Sequence, residues 1–117
     1  MTILSARAAE LLARLPGKPS PGWPDGEPFT MAFAHGSMSV EIYAPRGHDP
    51  QKPHAQDELY FVHAGRAVLV VEGVRHPAET GTVLFVPAGV EHHFEALSDE
   101  FVAWVVFWGP PGGEPPR

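Results

Sequence analysis

The apolar positions near the start of the chain repeat at spacings of three and four residues. Between Thr2 and Leu15 they form one stripe along a helix, made of Ile3, Leu4, Ala8, Leu11, Leu12 and Leu15. Thr2 is a suitable N-cap residue, and Pro16-Gly17 is typical of a helix end. The sequence therefore predicts an amphipathic helix over residues 2–15.

From Phe29 onward the period changes to two, which is typical of β-strands with one buried face. The runs bounded by Gly, Pro or Asp predict strands over FTMAFAH, MSVEIYA, DELYFVHA, RAVLVVE, TVLFVP and FVAWVVFWG. After the turn Pro87-Ala88-Gly89, His92 and His93 are expected to begin a further strand. Short strands at nearly regular intervals, without helices between them, predict an all-β sandwich or barrel.

The length of 117 residues corresponds to a single domain. We expect residues 1–28 to form the helix and a Pro-rich loop packed on the barrel, with Trp23 anchoring the loop to an apolar surface. Residues 29–109 are expected to form the barrel, and residues 110–117 a flexible tail. The unbroken apolar run of the last strand and the apolar face of the helix together indicate a subunit interface, so we expect a homodimer.

Composition and charge argue against several classes of protein. The net charge is -6 and the eight Lys and Arg residues are scattered, so nucleic acid is not an expected partner. Arg7 and Arg14 interrupt the apolar start, which is unlike a signal peptide, and we find no apolar segment long enough to cross a bilayer. The chain has no cysteine, which fits a reducing compartment, and we expect a cytoplasmic protein without a membrane partner.

Candidate chemistry is concentrated in two stretches, PHAQDELYFVHAG and GTVLFVPAGVEHHFEA. In the first, alternation places His54, Gln56, Glu58 and Tyr60 on one side of a strand, with His63 on the other side. In the second, only one of His92 and His93 can face inward. If the strands are neighbours, two imidazoles and one carboxylate converge, a set that suits Fe(II) and also Zn(II), Mn(II) or Ni(II).

The order of these residues resembles the two motifs of the cupin superfamily. The first family motif is G-x5-H-x-H-x3,4-E-x6-G, and His54-x3-Glu58-x6-Gly65 matches its second half. The second motif is G-x5-P-x-G-x2-H-x3-N, and Gly81-x5-Pro87-x-Gly89-x2-His92 matches all but its last position. The resemblance covers residues 38–108. It implies a cupin-type double-stranded β-helix, or jelly-roll, barrel with a short N-terminal α-helix.

The resemblance also implies one divalent metal ion (Fe, Mn, Ni or Zn) as cofactor, held by His54, Glu58 and His92. The first histidine of the family falls on Lys52, whose ammonium group cannot coordinate a metal, and the closing asparagine falls on Ala96. Gln56 is the expected fourth ligand, with a water molecule or His48 as alternatives. A barrel that keeps the fold but no longer binds a metal is the alternative to a metal site.

Two functions are compatible with these features. The resemblance implies a metal-dependent enzyme of the dioxygenase, isomerase or lyase type, acting on a small polar molecule. In that case Tyr60 and His93 are candidate proton donors, and Lys52 a candidate contact for an anionic substrate. The alternative is a non-catalytic barrel that binds or senses a small ligand, with or without metal. The sequence does not identify catalytic residues.

Overall fold

The fold consists of two antiparallel sheets with a shared core. The computed structural model describes residues 3–117, and these form one short helix and eight strands. The helix is α1 (Ala8–Leu12), and the strands are β1 (Phe29–His35), β2 (Met38–Tyr43), β3 (Asp57–Ala64), β4 (Arg66–Val71), β5 (Val74–Glu79), β6 (Val83–Val86), β7 (His92–Glu95) and β8 (Val102–Trp108). One sheet has the order β1-β2-β8-β3-β6, and the other has the order β5-β4-β7. The predicted all-β fold with a short helix is therefore confirmed.

The core is formed by the inward-facing side chains of both sheets. Its buried members are Tyr43, Tyr60, Val62, Ala67, Leu69, Ala78, Val86, Phe94, Phe101, Ala103 and Val105. Trp23 packs against this cluster from the Pro-rich loop and makes edge-on contacts with Phe29 and Tyr43. The loop is thus anchored on one end of the barrel, where it borders the site described below.

Helix α1 is much shorter than the sequence predicted. It covers Ala8–Leu12 instead of residues 2–15, and the proposed cap Thr2 lies outside the described residues. Leu11 is buried against Ile42 and Val102 on the outer face of the larger sheet, whereas Ile3 and Leu4 are exposed. The prediction was too long because a short helix is stable only where packing supports it, and that support is centred on Leu11.

Strand β5 was not predicted. It carries Pro77, and its residues are exposed apart from the buried Ala78, so it lacks the apolar alternation of the other strands. Proline, which has no N–H to donate, is tolerated because β5 is an edge strand paired only with β4 within the described chain.

The buried carboxylate of Asp57 binds two backbone segments, one at Ala88 and one at Glu114, at the end of the barrel that holds the site. It accepts hydrogen bonds from the backbone N–H groups of Ala88 (3.0 Å) and Glu114 (2.9 Å). The Gly112 N–H also donates to the Ala55 carbonyl, at 2.7 Å. Residues 110–114 are therefore hydrogen-bonded to the barrel, where we expected a flexible tail.

No helix within residues 3–117 is long and apolar enough to cross a membrane.

Candidate metal site

Three side chains from different elements converge at one end of the barrel. Glu58 is on β3, the second-last strand of the larger sheet, and His92 begins β7 in the smaller sheet. His54 precedes β3, and its carbonyl accepts a 2.7 Å hydrogen bond from the Gly89 N–H. This bond ties the loop that carries His54 to the turn that leads into His92. The site therefore depends on both sheets and on both sequence stretches.

The ligand atoms of these side chains lie within 4.8 Å of one another. Glu58 Oε1 is 3.0 Å from His92 Nε2 and 3.3 Å from His54 Nδ1. Two atoms that each coordinate one ion at about 2.0–2.2 Å are separated by about 3.0–3.5 Å. The observed separations therefore match the spacing within a single coordination sphere.

The orientation of His92 directs one ring nitrogen at the site. Its Nδ1 is 2.9 Å from the carbonyl oxygen of Val90, which can only accept, so Nδ1 carries the proton. In neutral His92 the lone pair therefore lies on Nε2, toward Glu58. A carbonyl that fixes the ring in this way is a common support of metal-binding histidines.

Two buried polar atoms of the site have no ordinary partner. His54 Nδ1 and Glu58 Oε1 form no hydrogen bond with any residue of 3–117. Glu58 is only 1% exposed, and its contacts are the two imidazoles of His54 and His92, at 3.3 and 3.0 Å. A buried carboxylate is costly unless positive charge compensates it. A divalent cation between the two imidazoles and the carboxylate satisfies all three ligand atoms. The residues present thus fit the metal that the sequence motifs imply.

The ionisation of these groups also indicates a site built for positive charge. Burial alone would raise the pKa of Glu58, but the adjacent imidazoles of His54 and His92 outweigh it and lower this pKa. Burial alone would lower the pKa of His92, but Glu58 and the Val90 carbonyl outweigh it and raise this pKa. The attraction between Glu58 and His92 thus favours positive charge between them, which a bound cation would supply.

A cavity of about 670 Å³ opens beside the three residues, and Glu58 and His54 form part of its wall. It is also lined by Pro21, Gly22, Trp23, Phe29, Glu41, Tyr43, Pro50, Gln51, Lys52, Pro53, Tyr60, Val105 and Phe107. Its size is within the range of small-molecule sites, and its apolar wall with a few polar groups is typical of them.

Comparison with known proteins agrees with this arrangement. The family described as Cupin domain (Cupin_2) matches residues 39–108, which is more than half of the chain. This chain belongs to the cupin family. The resemblance seen in the sequence is therefore confirmed, and the group of two histidines and one glutamate lies where cupins bind metal.

Three proteins show what this cupin is similar to. The "Uncharacterized protein SCO3923" of Streptomyces coelicolor is 47% identical over 76 residues, which cover 63% of this chain and 72% of the relative. A Cupin 2 conserved barrel domain protein of Salinispora arenicola has a TM-score of 0.59 and 25% identity, covering 69% of this chain and 74% of its own. The DMSP lyase DddQ of Ruegeria pomeroyi has a TM-score of 0.61 and 26% identity, covering 69% of this chain but only 46% of the lyase.

Gln56, the expected fourth ligand, has its amide nitrogen hydrogen-bonded outside this group. Its amide nitrogen donates to the carbonyl oxygens of Ser37 and Gly109, both at 2.9 Å, and it does not line the cavity. The expectation rested on strand alternation, but β3 begins only at Asp57, so alternation does not extend to Gln56. The alternative ligand His48 is exposed, its ring lies beside Trp23, and it does not belong to the group of convergent ligand atoms.

The other histidines of the motifs lie where alternation predicted. His93 points outward, and its Nε2 is 2.8 Å from the Glu95 carboxylate, so it is not placed as a proton donor in the cavity. His63 is exposed on the outer face, where its ring meets Trp104 edge-on. Tyr60, in contrast, is fully buried beside the site, and its hydroxyl donates to Gln51 Oε1 at 3.1 Å.

Two polar residues of the site were missed by sequence reasoning. The Oε1 atom of Gln51 is 3.2 Å from His92 Nε2, and the Gln51 Nε2 donates to Asp49 Oδ2 at 2.6 Å. Both residues lie in the Pro-rich loop before β3, where no periodicity exists to indicate which way a side chain points. The only available signal was their nearness in sequence to Lys52 and His54.

A third missed residue is Glu41, on the central part of β2. Its carboxyl group lines the cavity, and burial together with the nearby Glu58 carboxylate raises its pKa from 4.5 to about 7. Glu41 lies outside both cupin motifs. It is a single glutamate in the alternating run MSVEIYA, and this pattern did not indicate that its side chain faces the site.

The two departures from the cupin motifs have different structural meanings. Lys52 is exposed and lines the cavity, so no imidazole enters the site from this position. Ala96 has a left-handed backbone, with φ of 52°. Asparagine adopts that conformation more readily than alanine, so the loss of the motif's asparagine changes the backbone preference and leaves the three ligand atoms in place.

Proposed function

We propose that this cupin is a metal-dependent enzyme that converts a small polar molecule, by chemistry of the lyase, isomerase or dioxygenase type. The observation that carries the proposal is the convergence of the ligand atoms of His54, Glu58 and His92 within 4.8 Å of one another, beside a cavity of about 670 Å³ that His54 and Glu58 line. A purely structural metal site would be closed, whereas this one borders a space that a substrate can fill.

His54, Glu58 and His92 would hold the ion, with other coordination positions left to solvent or substrate. A divalent ion bound there would act as a Lewis acid toward an oxygen atom of the substrate. The protein's part is to fix the ligands before substrate arrives. The Val90 carbonyl orients His92, and the backbone bond from Gly89 to the His54 carbonyl holds the loop.

Glu41 is the group best placed to move a proton within the cavity. In the absence of a metal ion, burial and the Glu58 carboxylate raise its pKa to about 7, the range in which a carboxyl group can act as a general acid or base. Tyr43 and Tyr60 are different, because burial and neighbouring carboxylates raise the pKa of each above its usual value. They remain protonated and serve as hydrogen-bond donors.

Lys52 offers one contact for an anionic group of a substrate. Lys52 lines the cavity and is solvent-exposed, so its ammonium group can meet a carboxylate at the entrance. The similarity to a protein named as a DMSP lyase supports including lyase chemistry among the candidate reactions. The chain spans less than half of that lyase, so the substrate of the lyase is not carried over.

The experiment is a turnover assay on protein loaded with Fe(II), Mn(II), Ni(II) or Zn(II), using a panel of small hydroxy, keto and unsaturated carboxylates. We expect NMR to detect a product with at least one metal, and Glu41→Gln to retain the metal while losing at least about tenfold in rate. The outward-facing His63→Ala is the matched control and should retain the rate. Ligand-dependent stabilisation without any product would contradict the enzyme and favour a sensing barrel.

A further inference from the structure

The side chain of Gln51 is held in one orientation by a buried carboxylate. Its Nε2 donates to Asp49 Oδ2 at 2.6 Å, and a carboxylate can only accept. Asp49 is itself fixed, because it accepts from the Phe94 N–H at 2.8 Å and from the Tyr43 hydroxyl. The amide nitrogen of Gln51 is therefore committed to Asp49, and its oxygen must point the other way.

The Oε1 atom of Gln51 points toward the metal site. Gln51 Oε1 lies 3.2 Å from His92 Nε2 and 3.1 Å from the Tyr60 hydroxyl, which donates to it. One lone pair of Oε1 is therefore used by Tyr60, and the second faces the same space as Glu58 Oε1 and His92 Nε2. The distance to His92 Nε2 again matches two atoms of one coordination sphere.

The three atoms that converge at this point can all bind a cation. Because the Nδ1 proton of His92 is donated to Val90, Nε2 of the neutral ring is an acceptor. The oxygens of Gln51 and Glu58 are acceptors as well. A proton on Nε2 can be shared with these oxygens only through hydrogen bonds, whereas a metal ion can bind all three atoms at once.

Gln51 also lies next to the position where this chain departs from the cupin motif. Lys52 stands where the family has its first histidine, and its exposed ammonium group cannot coordinate a cation. A neutral amide oxygen from the preceding residue restores a fourth protein ligand without adding charge. Oxygen and imidazole together suit Fe(II), Mn(II), Ni(II) and Zn(II).

We propose that the Oε1 atom of Gln51 is a direct ligand of the metal ion, positioned by Asp49, and that it replaces the imidazole missing at Lys52. The inference rests on the metal site of the proposed function. It gives this cupin a ligand set of His54, Glu58, His92 and Gln51, in place of the set with Gln56 that the sequence indicated.

The first test uses Zn(II) and the intact wild-type chain, with NMR of the glutamine side-chain amides. On Zn(II) binding, the 13Cδ and 15Nε2 signals of Gln51 should shift, because coordination through oxygen polarises the amide. Gln56 serves as the internal control and should shift much less. Unmoved Gln51 signals in the Zn(II)-loaded protein would overturn the inference.

The second test measures Zn(II) affinity by competition with a chelator. Gln51→Ala should weaken binding by at least about tenfold. Gln56→Ala is the matched control and should bind like the wild type. Wild-type affinity in Gln51→Ala would overturn the role of Gln51 alone. Failure of the wild-type chain to bind any of the four metals would overturn the metal site itself, and the two failures are thus distinguishable.

Discussion

Glu58 and His92 lie in different sheets, yet Glu58 Oε1 is 3.0 Å from His92 Nε2. Both residues are almost fully buried, at 1% and 3% exposure. A charged pair in such a place is stable only when the surrounding atoms compensate it. The two sheets of the barrel therefore meet at a polar site, and we expect a cation bound there to stabilise the fold.

Glu41 should give the metal-free protein a specific dependence of stability on pH. In the unfolded chain its carboxyl ionises near pH 4.5, whereas in the folded protein its pKa is about 7, so the folded state binds more protons between these values. The contribution of Glu41 to the free energy of unfolding is thus present below pH 4.5 and is lost as the pH rises to about 7.

Chemical denaturation of chelator-treated wild type and Glu41→Gln between pH 4 and pH 8 measures this effect. We expect wild type to lose on the order of 2 kcal/mol relative to the variant across that window. The comparison cancels most of the contributions of the other titrating groups. Parallel stability curves for the two proteins would show that Glu41 is not buried beside Glu58 as described.

Gly65, the last residue of the first cupin motif, should not tolerate a side chain. Its backbone is left-handed, with φ of 72°, and an added Cβ would lie 2.6 Å from Ser98 Oγ and 2.8 Å from the Phe101 backbone. Gly81 has a similar φ of 92°, but an added Cβ there would meet no atom of the described chain within 4 Å.

Gly65→Ala should therefore combine backbone strain with a collision and lower the free energy of unfolding by about 3 kcal/mol. Gly81→Ala carries the strain alone and should cost about 1 kcal/mol. Urea titration of the two variants measures the difference. Equal destabilisation would mean that the collision at Gly65 is relieved by movement of the loop around Phe101.

We propose that the protein forms a homodimer through the outer face of the larger sheet. Phe61, Val83 and Phe85 are each between 42% and 55% exposed on the adjacent strands β3 and β6. Helix α1 covers a different part of that face, around Ile42 and Val102. An exposed apolar patch beside an edge strand is typical of an interface between copies.

Light scattering at micromolar concentration should give about twice the monomer mass of 12.7 kDa. Phe85→Glu should shift the protein toward the monomer, since it places a charge within the patch, whereas Val74→Glu on the exposed strand β5 is the control and should leave the mass unchanged. A monomeric wild-type chain would contradict the dimer.

Much of the site could be predicted where the chain has periodicity. Alternation correctly separated His92 from His93 and placed His63 outside, because each pattern lies on a regular strand. It failed for Gln56, since that residue precedes the strand, and the neighbouring loop residue Gln51 was overlooked. Loop conformation depends on tertiary contacts such as those of Asp49, and these have no local signature in the sequence.

In the fold, too, features set by local sequence were predicted and features set by tertiary contacts were not. The motif residues from Gly81 to His92 predicted the turn and the strand after it, because proline and glycine act through local backbone preference. The length of helix α1 depended instead on what its apolar stripe packs against. Glu41 was missed for a similar reason, since only the pairing of β2 with β8 brings it to the cavity.

The measurement that tests the account most directly is elemental analysis of the chain purified without an affinity tag. We expect about one equivalent of iron, manganese, nickel or zinc in the wild type and loss of that metal in His92→Ala and Glu58→Ala, because each removes one of the three convergent ligands. His93→Ala, on the outward side of the same strand, should retain it. Absence of stoichiometric metal in the wild type, even after reconstitution, would contradict the metal site and with it the proposed enzyme.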